Sequence, residues 1–560
     1  MEFRIADTFT DSLTRLTGDE QKAVKTTAFD LRLNPTSPGL SFHKLDKARD
    51  KNLWSVSHVC PSRWLSQLIQ QHPDAQRRFR VMANVEELTR ALDFPWEKWT
   101  VFLHPEQRQW VERDYLGPAR VSGSAGTGKT IDALHRAVYL ARANPDARVL
   151  LTTFSDALAG ALLTRLNRLV SNQPKLAERI DVHSLSAIAV RLYKMHLGPM
   201  LPARQHEIKE LLREAAKGVG DSKFSHHFLL TEWEQVVDAW QLDGWEAYRD
   251  VARLGRKTRL PEAQRRLLWS IFEKVYCALR AKNKVTEATM FANWPKSSRK
   301  ERAAPFDLAV INEAQDVGVS QMRFLAALAG GRPNALFFAG DLGQRIFQQP
   351  FSWKSLGVDI RGRSRTLRVN YRTSHQIRMQ AGRLLGPAVT DVDGNSEERG
   401  DTVSVFNGPP PCILLFSSES NEASAVAGWI KEQTMAGVLP HEIALFVRSA
   451  GQLERGKVAA KQTGLPYVVL DDDVEAESGE ISISTMHLAK GLEFRAVAVM
   501  ACDDEIIPLQ DRIETVGDDA DLQEVYDTER QLLYVACTRA RDNLLVTSVK
   551  PASGFLDDLN

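Results

Sequence analysis

Short apolar segments alternate with amphipathic stretches along most of the chain beyond residue 100. Segments of this kind, bounded by polar or turn-forming residues, are predicted to be strands. They are residues 149–154, 306–311, 335–339, 413–416, 443–447, 467–470, 481–485, 497–500 and 544–547. Strands that alternate with helices indicate parallel sheets with helices packed on both faces. The strands form two series, so the pattern predicts an α/β protein with two parallel sheets.

The stretch between the two halves of the first series has a different pattern. Residues 188–300 contain almost no strand signal and several amphipathic helical segments. We therefore expect a first α/β domain over 81–187 and 301–350, with 188–300 inserted as a helical domain. Residues 351–560 would form the second α/β domain, with a loop or linker at 386–411, where GNSEERGD and PPP occur.

The first 80 residues are predicted to be a separate N-terminal appendage, either helical or α+β. Two short helical segments are followed by a proline-rich stretch and the beginning of a strand at 53–56. The segment FTDSLTRLTGDEQKAVKTTAFDLRLNPTSPGLSFHKL resembles the beginning of RelE/ParE-like toxin domains, and the resemblance stops after Val56. We interpret it as a truncated or degenerate copy and assign it no ribonuclease or gyrase-poisoning activity.

The composition is that of an ordinary soluble globular protein. Of 560 residues, 43% are hydrophobic and 26% charged, which excludes a wholly disordered or collagen-like chain. The five cysteines contain no CxxC pair, so a reducing compartment is expected and a zinc knuckle is not. The N-terminus lacks the features of a signal peptide, and we expect a cytoplasmic protein.

The net charge of +1 conceals two regions of opposite charge. Residues 251–302 contain 14 Lys and Arg against 4 Asp and Glu, whereas residues 501–529 contain 11 acidic residues and one Arg. A charge-rich stretch is usually a solvated helical face. Because the basic one lies in the helical insertion, a surface that contacts nucleic-acid phosphates is the alternative.

Residues 121–130, VSGSAGTGKT, fit the phosphate-binding pattern GxxxxGK[ST]. Glycines let the backbone wrap around phosphates, Lys129 would reach the terminal phosphate oxygens, and Thr130 would offer a hydroxyl to Mg²⁺. The remaining nucleotide-binding candidates are the loop residues Gly123, Ser124, Ala125, Gly126, Thr127 and Gly128. The alternative is a chance glycine-rich turn, but the amphipathic helix that follows makes this unfavourable.

Several later strands also end in polar clusters. The sequences are LAVINEAQD (308–316), LFFAGDLGQRIF (336–347), TLRVNYRTS (366–374), STMHLAKGLEF (484–494) and ERQLLYVACTRA (529–540). Each cluster by itself could be a solvated strand end. In this order, and following a phosphate-binding loop, the series resembles the superfamily 1 helicases of the UvrD/Rep/PcrA group. The segments LHPEQRQWV (103–111), LLTTFSDALA (150–159) and DVHSL (181–185) extend the resemblance.

The resemblance implies two RecA-like domains that use ATP and Mg²⁺ to move on single-stranded or tailed duplex DNA, with 3′→5′ polarity. It also implies roles for individual residues. Gln107 would contact the adenine, Tyr371 would stack on it, and Glu493 would contact the ribose. Glu313 would polarise the attacking water and Gln344 would sense the γ-phosphate. Arg372 and Arg539 would act as arginine fingers.

The resemblance suggests five side chains that could face the nucleic acid: Phe154, His183, Phe347, Trp353 and His487. Aromatic side chains can stack on bases of any sequence, so RNA remains open as a substrate. Core packing is the competing interpretation for any single aromatic residue, and for Trp353 the two interpretations are about equal.

The sequence departs from the family at two places. Asn312 stands where the family has an aspartate that supports Mg²⁺, so the metal ligands Thr130, Asn312 and Glu313 would carry less charge. Lys490 follows Arg372 by only 118 residues, too few for the large subdomain that long family members insert there. Two alternatives therefore remain open. One is a translocase that remodels protein–DNA complexes, and the other is a DNA-binding regulator with a weakened ATPase.

Overall fold

The computed structural model describes four short strands among the first hundred residues and most of residues 103–559. The gaps in that range are 104, 171–172, 200, 218–223, 252–259, 299–304, 347–350, 387, 401, 405–406, 472–478 and 515–518. The chain divides into two compact units. One comprises Met1–Gln109 with Ser404–Asn407, and the other Trp110–Val403 with Gly408–Asn560.

The first unit contains two antiparallel strand pairs. Phe3–Ala6 pairs with Phe79–Met82, and Ser41–Lys44 pairs with Trp54–Ser57. We expected the appendage to end at residue 80, but its last strand spans that position. The two helical segments predicted before residue 30 lie outside the described residues, and the likeness to a toxin domain stays a prediction.

The first sheet of the second unit has six parallel strands, so all six end at the same carboxyl edge, where the polar sequence clusters lie. Their spatial order is Ser364–Leu367, Ala119–Gly123, Leu336–Gly340, Leu308–Asn312, Val149–Thr153 and Ile180–Ser184. The central strands are buried along their whole length, as expected for a parallel sheet covered on both faces. Helices accompany this sheet at Lys129–Ala143, Asp156–Leu169, Pro174–Ala177, Leu185–Leu197 and Val319–Ala329.

The position of Ser364–Leu367 differs from our expectation. We placed the end of the first domain at residue 350, yet this strand pairs with Ala119–Gly123 and belongs to the first sheet. The segment has few apolar residues and an exposed to half-buried pattern, so it gave no strand signal in the sequence. The first domain therefore reaches past residue 350.

The second sheet is also six-stranded and parallel, which confirms the predicted pair of parallel α/β sheets. Its spatial order is Cys412–Phe416, Ala540–Val549, Phe494–Val499, Ile443–Val447, Ile481–Thr485 and Tyr467–Val469. The accompanying helices are His375–Gly382, Glu419–Met435, Leu453–Thr463, Gln510–Glu514, Asp519–Cys537 and Phe555–Leu559.

The predicted insertion is mostly helical and has a core of its own. Its helices are Gln205–Lys217, His226–Glu232, Trp233–Val237, Trp245–Asp250 and Glu262–Ala281. The predicted bounds 188–300 are too wide, because Leu192 and the helix Glu287–Ser298 pack in the core of the first domain. Leucine and aromatic side chains make up most of this core, and Trp233, Tyr248 and Phe272 are at most 1% exposed. A pair of two-residue strands, Leu201–Pro202 and Lys284–Val285, completes it. Within the described residues, no helix is both long and apolar enough to span a membrane.

Candidate nucleotide-binding site

The loop between the strand Ala119–Gly123 and the helix Lys129–Ala143 has the tight geometry that a phosphate-binding loop requires. Gly126 and Gly128 have φ angles of 83° and 88°, in the left-handed region. A Cβ atom on Gly126 would lie 2.4 Å from Oδ1 of Asn370. Only glycine fits there, because the side chain of Asn370 packs directly against the loop backbone.

Lys129 is the first residue of that helix, and its ammonium is held at the loop. Nζ donates to the carbonyl oxygens of Gly123 and Ser124, at 2.8 Å each, and lies 3.9 Å from Oδ2 of Asp341. Burial lowers the pKa of Lys129, while the carboxylates of Asp341 and Glu313 act against this shift. A cation at the N-terminus of a helix after a glycine-rich turn is arranged to bind phosphate.

The segment after the first sheet is fastened to the same loop. Asn370 donates through Nδ2 to the carbonyl oxygen of Ala125 at 2.8 Å, and its Oδ1 accepts from the backbone N–H of Arg372 at 3.0 Å. The N–H of Tyr371 donates to the carbonyl oxygen of Gly126 at 2.9 Å. These bonds fix the backbone of Tyr371 and Arg372, two predicted nucleotide contacts, beside the loop.

The strand Leu308–Asn312 ends at the predicted metal and water site. Asn312 is 3% exposed, and the next residue, Glu313, adopts a left-handed φ of 55°. That conformation is uncommon outside glycine and is often found at functional sites. The carboxylate of Glu313 accepts a 2.6 Å hydrogen bond from Nε2 of Gln315, so its direction is set by a neighbour on the same turn.

Three hydrogen bonds join the first sheet to the second at this edge. Gln344, which follows the strand Leu336–Gly340, accepts through Oε1 from Nη2 of Arg539 at 3.0 Å. Lys490 donates from Nζ to Oδ2 of Asp316 at 2.5 Å and to the carbonyl oxygen of Gln344 at 2.6 Å. Burial raises the pKa of Asp316 to about 6, although Lys490 opposes the shift.

Arg372, Arg539 and Glu493 form a second group of charges beside the loop. Nη1 of Arg372 donates to Oε1 of Glu493 at 3.0 Å, and Nη2 of Arg165 lies 3.9 Å from the same oxygen. Burial, followed by repulsion from Arg372, lowers the pKa of Arg539 to about 10. Burial would raise the pKa of Glu493, but Arg372 and Arg165 together hold it below its ordinary value. Two arginines from the C-terminal half thus lie together next to a carboxylate.

Two family models match the parts of the chain that form most of this site. The model of the UvrD/REP helicase N-terminal domain matches residues 103–351, and that of the UvrD-like helicase C-terminal domain matches residues 469–551. Together they account for more than half of the chain and contain both sides of the nucleotide site. The chain belongs to the UvrD-like superfamily 1 helicases.

Individual relatives within the UvrD-like family are distant. An "ATP-dependent DNA helicase UvrD2" from Mycobacterium tuberculosis is 26% identical over 386 residues, or 63% of this chain and 53% of the relative. A "Probable DNA helicase" from Mycoplasma pneumoniae is 25% identical over 252 residues, 44% of each chain. "ATP-dependent DNA helicase PcrA" from Staphylococcus aureus is 39% identical over 85 residues, 15% of this chain and 11% of the relative. The chain spans about half the length of the first two.

The UvrD-like site offers oxygen ligands that suit Mg²⁺. This ion usually takes one or two protein oxygens, phosphate oxygens and water. Thr130 supplies a half-buried hydroxyl, Asn312 an amide oxygen and Glu313 a carboxylate. The donor set fits the ion, with one charge fewer than an aspartate at position 312 would give. Among the described residues, no cluster of three or more His, Cys, Asp and Glu side chains could hold a metal by itself.

Three of the predicted DNA contacts are half-buried side chains on the described part of this unit. Phe154 follows the strand Val149–Thr153, and Nζ of Lys490 lies 5.7 Å from the centre of its ring. His183 has its Nε2 3.5 Å from Nη1 of Arg191. Burial, helped by nearby Arg448, lowers the pKa of His487 to about 4, so its imidazole is neutral near pH 7.

The other two predicted contacts give different outcomes. Trp353 packs against the core of the first domain, with its ring centre 4.8 Å from that of Phe338. This packing favours the core interpretation, and a DNA contact by Trp353 stays a prediction. Phe347 lies outside the described residues. Gln107, the predicted adenine contact, is buried on the helix Pro105–Val111.

The sequence motifs assign no role to Asp341, which the structure places at the centre of the site. Asp341 accepts from Nε2 of Gln344 at 2.6 Å and from the N–H of Gly343 at 2.9 Å, and it is fully buried. A signal was present, because this aspartate follows a buried strand directly. Asp316 and Lys490 lay within quoted motifs but had no assigned partner. Their pairing depends on how the two sheets meet.

Proposed function

We propose that this chain is an ATP-dependent motor on single-stranded DNA, of the UvrD helicase type, moving 3′→5′. The observation that carries this proposal is the hydrogen bond between Gln344 and Arg539. It joins the two sheets at the phosphate-binding loop, so a nucleotide bound there would contact both domains. Binding and release of the nucleotide would then open and close the cleft between the domains, which is how hydrolysis becomes stepping.

Each group of side chains would have its own role in hydrolysis. The loop residues and Lys129 would bind the phosphates, and Glu313 would orient the attacking water. Arg372 and Arg539 would stabilise negative charge on the transferring phosphoryl group, a contribution of about 10³–10⁵ in rate in related NTPases. Mg²⁺ bound at Thr130 would supply further charge neutralisation.

Gln344 would transmit the state of the phosphate to the DNA-binding side. Its amide contacts Asp341 through Nε2 and Arg539 through Oε1, so both ends are engaged. DNA would pass near Phe154, His183 and His487, whose rings could stack on bases or contact the backbone without sequence preference.

ATP turnover with and without single-stranded DNA tests the proposal. We expect turnover to rise when the DNA is added and to vanish in Lys129→Ala. Tailed-duplex unwinding, compared with displacement of streptavidin from a biotinylated strand, then separates a helicase from a translocase. If the unchanged chain hydrolysed ATP at the same rate with and without DNA, the proposed motor would be wrong.

Asn312 favours a second candidate, a DNA-binding regulator with weak ATP turnover. An amide in place of the family's aspartate keeps an oxygen acceptor but loses the charge that supports Mg²⁺. We therefore expect Asn312→Asp to raise DNA-stimulated turnover about tenfold and to lower the Mg²⁺ concentration needed. This corresponds to about 1.4 kcal/mol of transition-state stabilisation.

The control is Asn421→Asp, the same change at an exposed position on the helix Glu419–Met435 of the second domain. Equal turnover by Asn312→Asp and the unchanged chain would show that the charge at this position does not limit hydrolysis. A regulator would instead retain ATP-dependent DNA binding in the unchanged chain without measurable DNA-stimulated turnover.

A further inference from the structure

The hairpin formed by Ala388–Thr390 and Ser396–Glu398 is anchored to the first domain, although its sequence indicated a loop or linker. Asp391 accepts through Oδ2 from Nη1 of Arg120 at 3.0 Å, on the strand beside the phosphate-binding loop. Asp393 accepts from Oγ of Ser352 at 2.5 Å and from the N–H of Lys354 at 3.1 Å. The tip of the hairpin is thus fixed by its own carboxylates.

Arg399 follows the second strand of this hairpin and reaches the nucleotide site. Its Nη2 donates to Oδ1 of Asp341 at 2.5 Å, and its guanidinium lies 5.2 Å from the centre of the Tyr534 ring. The side chain is 9% exposed. A Cβ atom on Gly343 would overlap the guanidinium, so the backbone at this turn leaves room for Arg399 and no more.

Asp341 therefore stands between two cations. One oxygen accepts from Arg399, and the other lies 3.9 Å from Nζ of Lys129. Burial would raise the pKa of Asp341, but Arg399 and Lys129 hold it below its ordinary value, so the carboxylate is charged. A buried carboxylate without a cation is costly, which means that Asp341 would retain Lys129 if no other cation were present.

We propose that Arg399 is a positioning residue of the ATP site, which neutralises Asp341 and so allows Lys129 to leave that carboxylate and bind nucleotide phosphate. The inference rests on the proposed function, because it assumes that the loop binds a nucleotide. Arg399 acts through Asp341 and need not contact the nucleotide. Through Arg399, the hairpin sets how strongly the carboxylate of Asp341 competes with nucleotide phosphate for Lys129.

Binding of ADP to the full chain, measured by calorimetry, tests this without requiring hydrolysis. We expect Arg399→Ala to weaken ADP binding about tenfold or more, because Lys129 then stays paired with Asp341. Arg399→Lys, which keeps the charge, should remain within about threefold of the unchanged chain. Arg361→Ala is the matched control. It removes an arginine that also pairs with a carboxylate, Asp359, but at the exposed surface.

The double variant Arg399→Ala/Asp341→Asn gives the sharper test. Asparagine cannot hold Lys129 electrostatically, so the double variant should bind ADP more tightly than Arg399→Ala alone. A purely structural role for Arg399 predicts the opposite, since the second change would only add damage. Thermal unfolding of each variant shows whether it is folded, and Arg399→Gln replaces the alanine variant if that one is not.

Either of two results would overturn the positioning role. One is an Arg399→Ala variant that binds ADP as well as Arg361→Ala does, and the other is a double variant no better than the single one. ADP binding by the unchanged chain without DNA-stimulated ATP turnover would overturn the proposed motor and leave the role of Arg399 intact. Failure of the unchanged chain to bind ADP would overturn both.

Discussion

The two α/β domains differ in how completely their buried carboxylates are hydrogen-bonded. In the second domain, Arg455 donates to both Glu422 and Asp503, the latter at 2.6 Å. The other oxygen of Glu422 accepts from Thr547 at 2.7 Å and from the N–H of Ala501 at 3.0 Å. Both oxygens of this fully buried carboxylate are satisfied.

Buried carboxylates near the first sheet have fewer hydrogen bonds. Both oxygens of Glu397 and Oδ1 of Asp316 lack a hydrogen-bond partner in the described part of the chain, although these side chains are nearly inaccessible. Unsatisfied buried groups destabilise a fold, and they gather at sites that must bind something. In the second domain both oxygens of the buried Glu422 are hydrogen-bonded, whereas beside the nucleotide site Glu397 has only an ion pair with Arg120 at 3.6 Å and Asp316 is bonded through one oxygen.

Loss of Lys129 should produce the largest effect and should fall on activity alone. We expect Lys129→Ala to lower DNA-stimulated ATP turnover about a thousandfold, because the phosphates lose a preorganised cation. Its free energy of unfolding should change by less than about 1 kcal/mol, since Arg399 still neutralises Asp341. Steady-state turnover and urea unfolding measure the two quantities. Lys457→Ala, at an exposed ion pair with Glu454, is the control.

Loss of Arg455 should have the opposite profile. Arg455→Ala leaves Glu422 buried without its cation, and we expect the free energy of unfolding to fall by about 3 kcal/mol. Turnover per folded molecule should remain close to that of the unchanged chain, since none of the described contacts of Arg455 is with the nucleotide site. Urea unfolding followed by turnover below the transition checks both. A large loss of turnover in the folded variant would contradict the division between the two regions.

The smallest effect concerns pH and Glu397. Burial, with repulsion from Asp341, raises the pKa of Glu397 to about 7 from an ordinary value of 4.5. The folded protein therefore holds this proton more tightly than the unfolded chain, and stability is lost as pH rises from about 4.5 to 7. Glu397→Gln does not titrate, so its stability relative to the unchanged chain should increase by about 2 kcal/mol between pH 5 and pH 8.

Urea unfolding of both proteins at several pH values measures this difference. Glu398→Gln, an exposed neighbour on the same strand, should show almost none of it. A flat difference for Glu397→Gln would mean that the ion pair with Arg120 offsets burial and leaves the pKa of Glu397 unshifted, and the contrast between the two regions would weaken.

Much of this organisation was accessible from the sequence. The sequence predicts the strands at 443–447 and 481–485 with their observed ends. The first is a short apolar run, and the second alternates isoleucine with serine. The strand Ser364–Leu367 was missed, since an edge strand with exposed polar residues has no apolar pattern to detect. The hairpin before Arg399 has a polar sequence that indicates a linker for the same reason.

The residue pattern predicts the two parallel sheets, a helical insertion, the phosphate-binding loop and the family. Apolar periodicity and glycine spacing depend only on residues that are close in sequence, so they can be recognised without knowing the tertiary contacts. The packing of the sheets and the hairpin places Asp341 between Lys129 and Arg399, and it pairs Lys490 with Asp316 across the two sheets. Those pairs join residues 58 to 212 positions apart, whose separation depends on how the sheets and the hairpin pack.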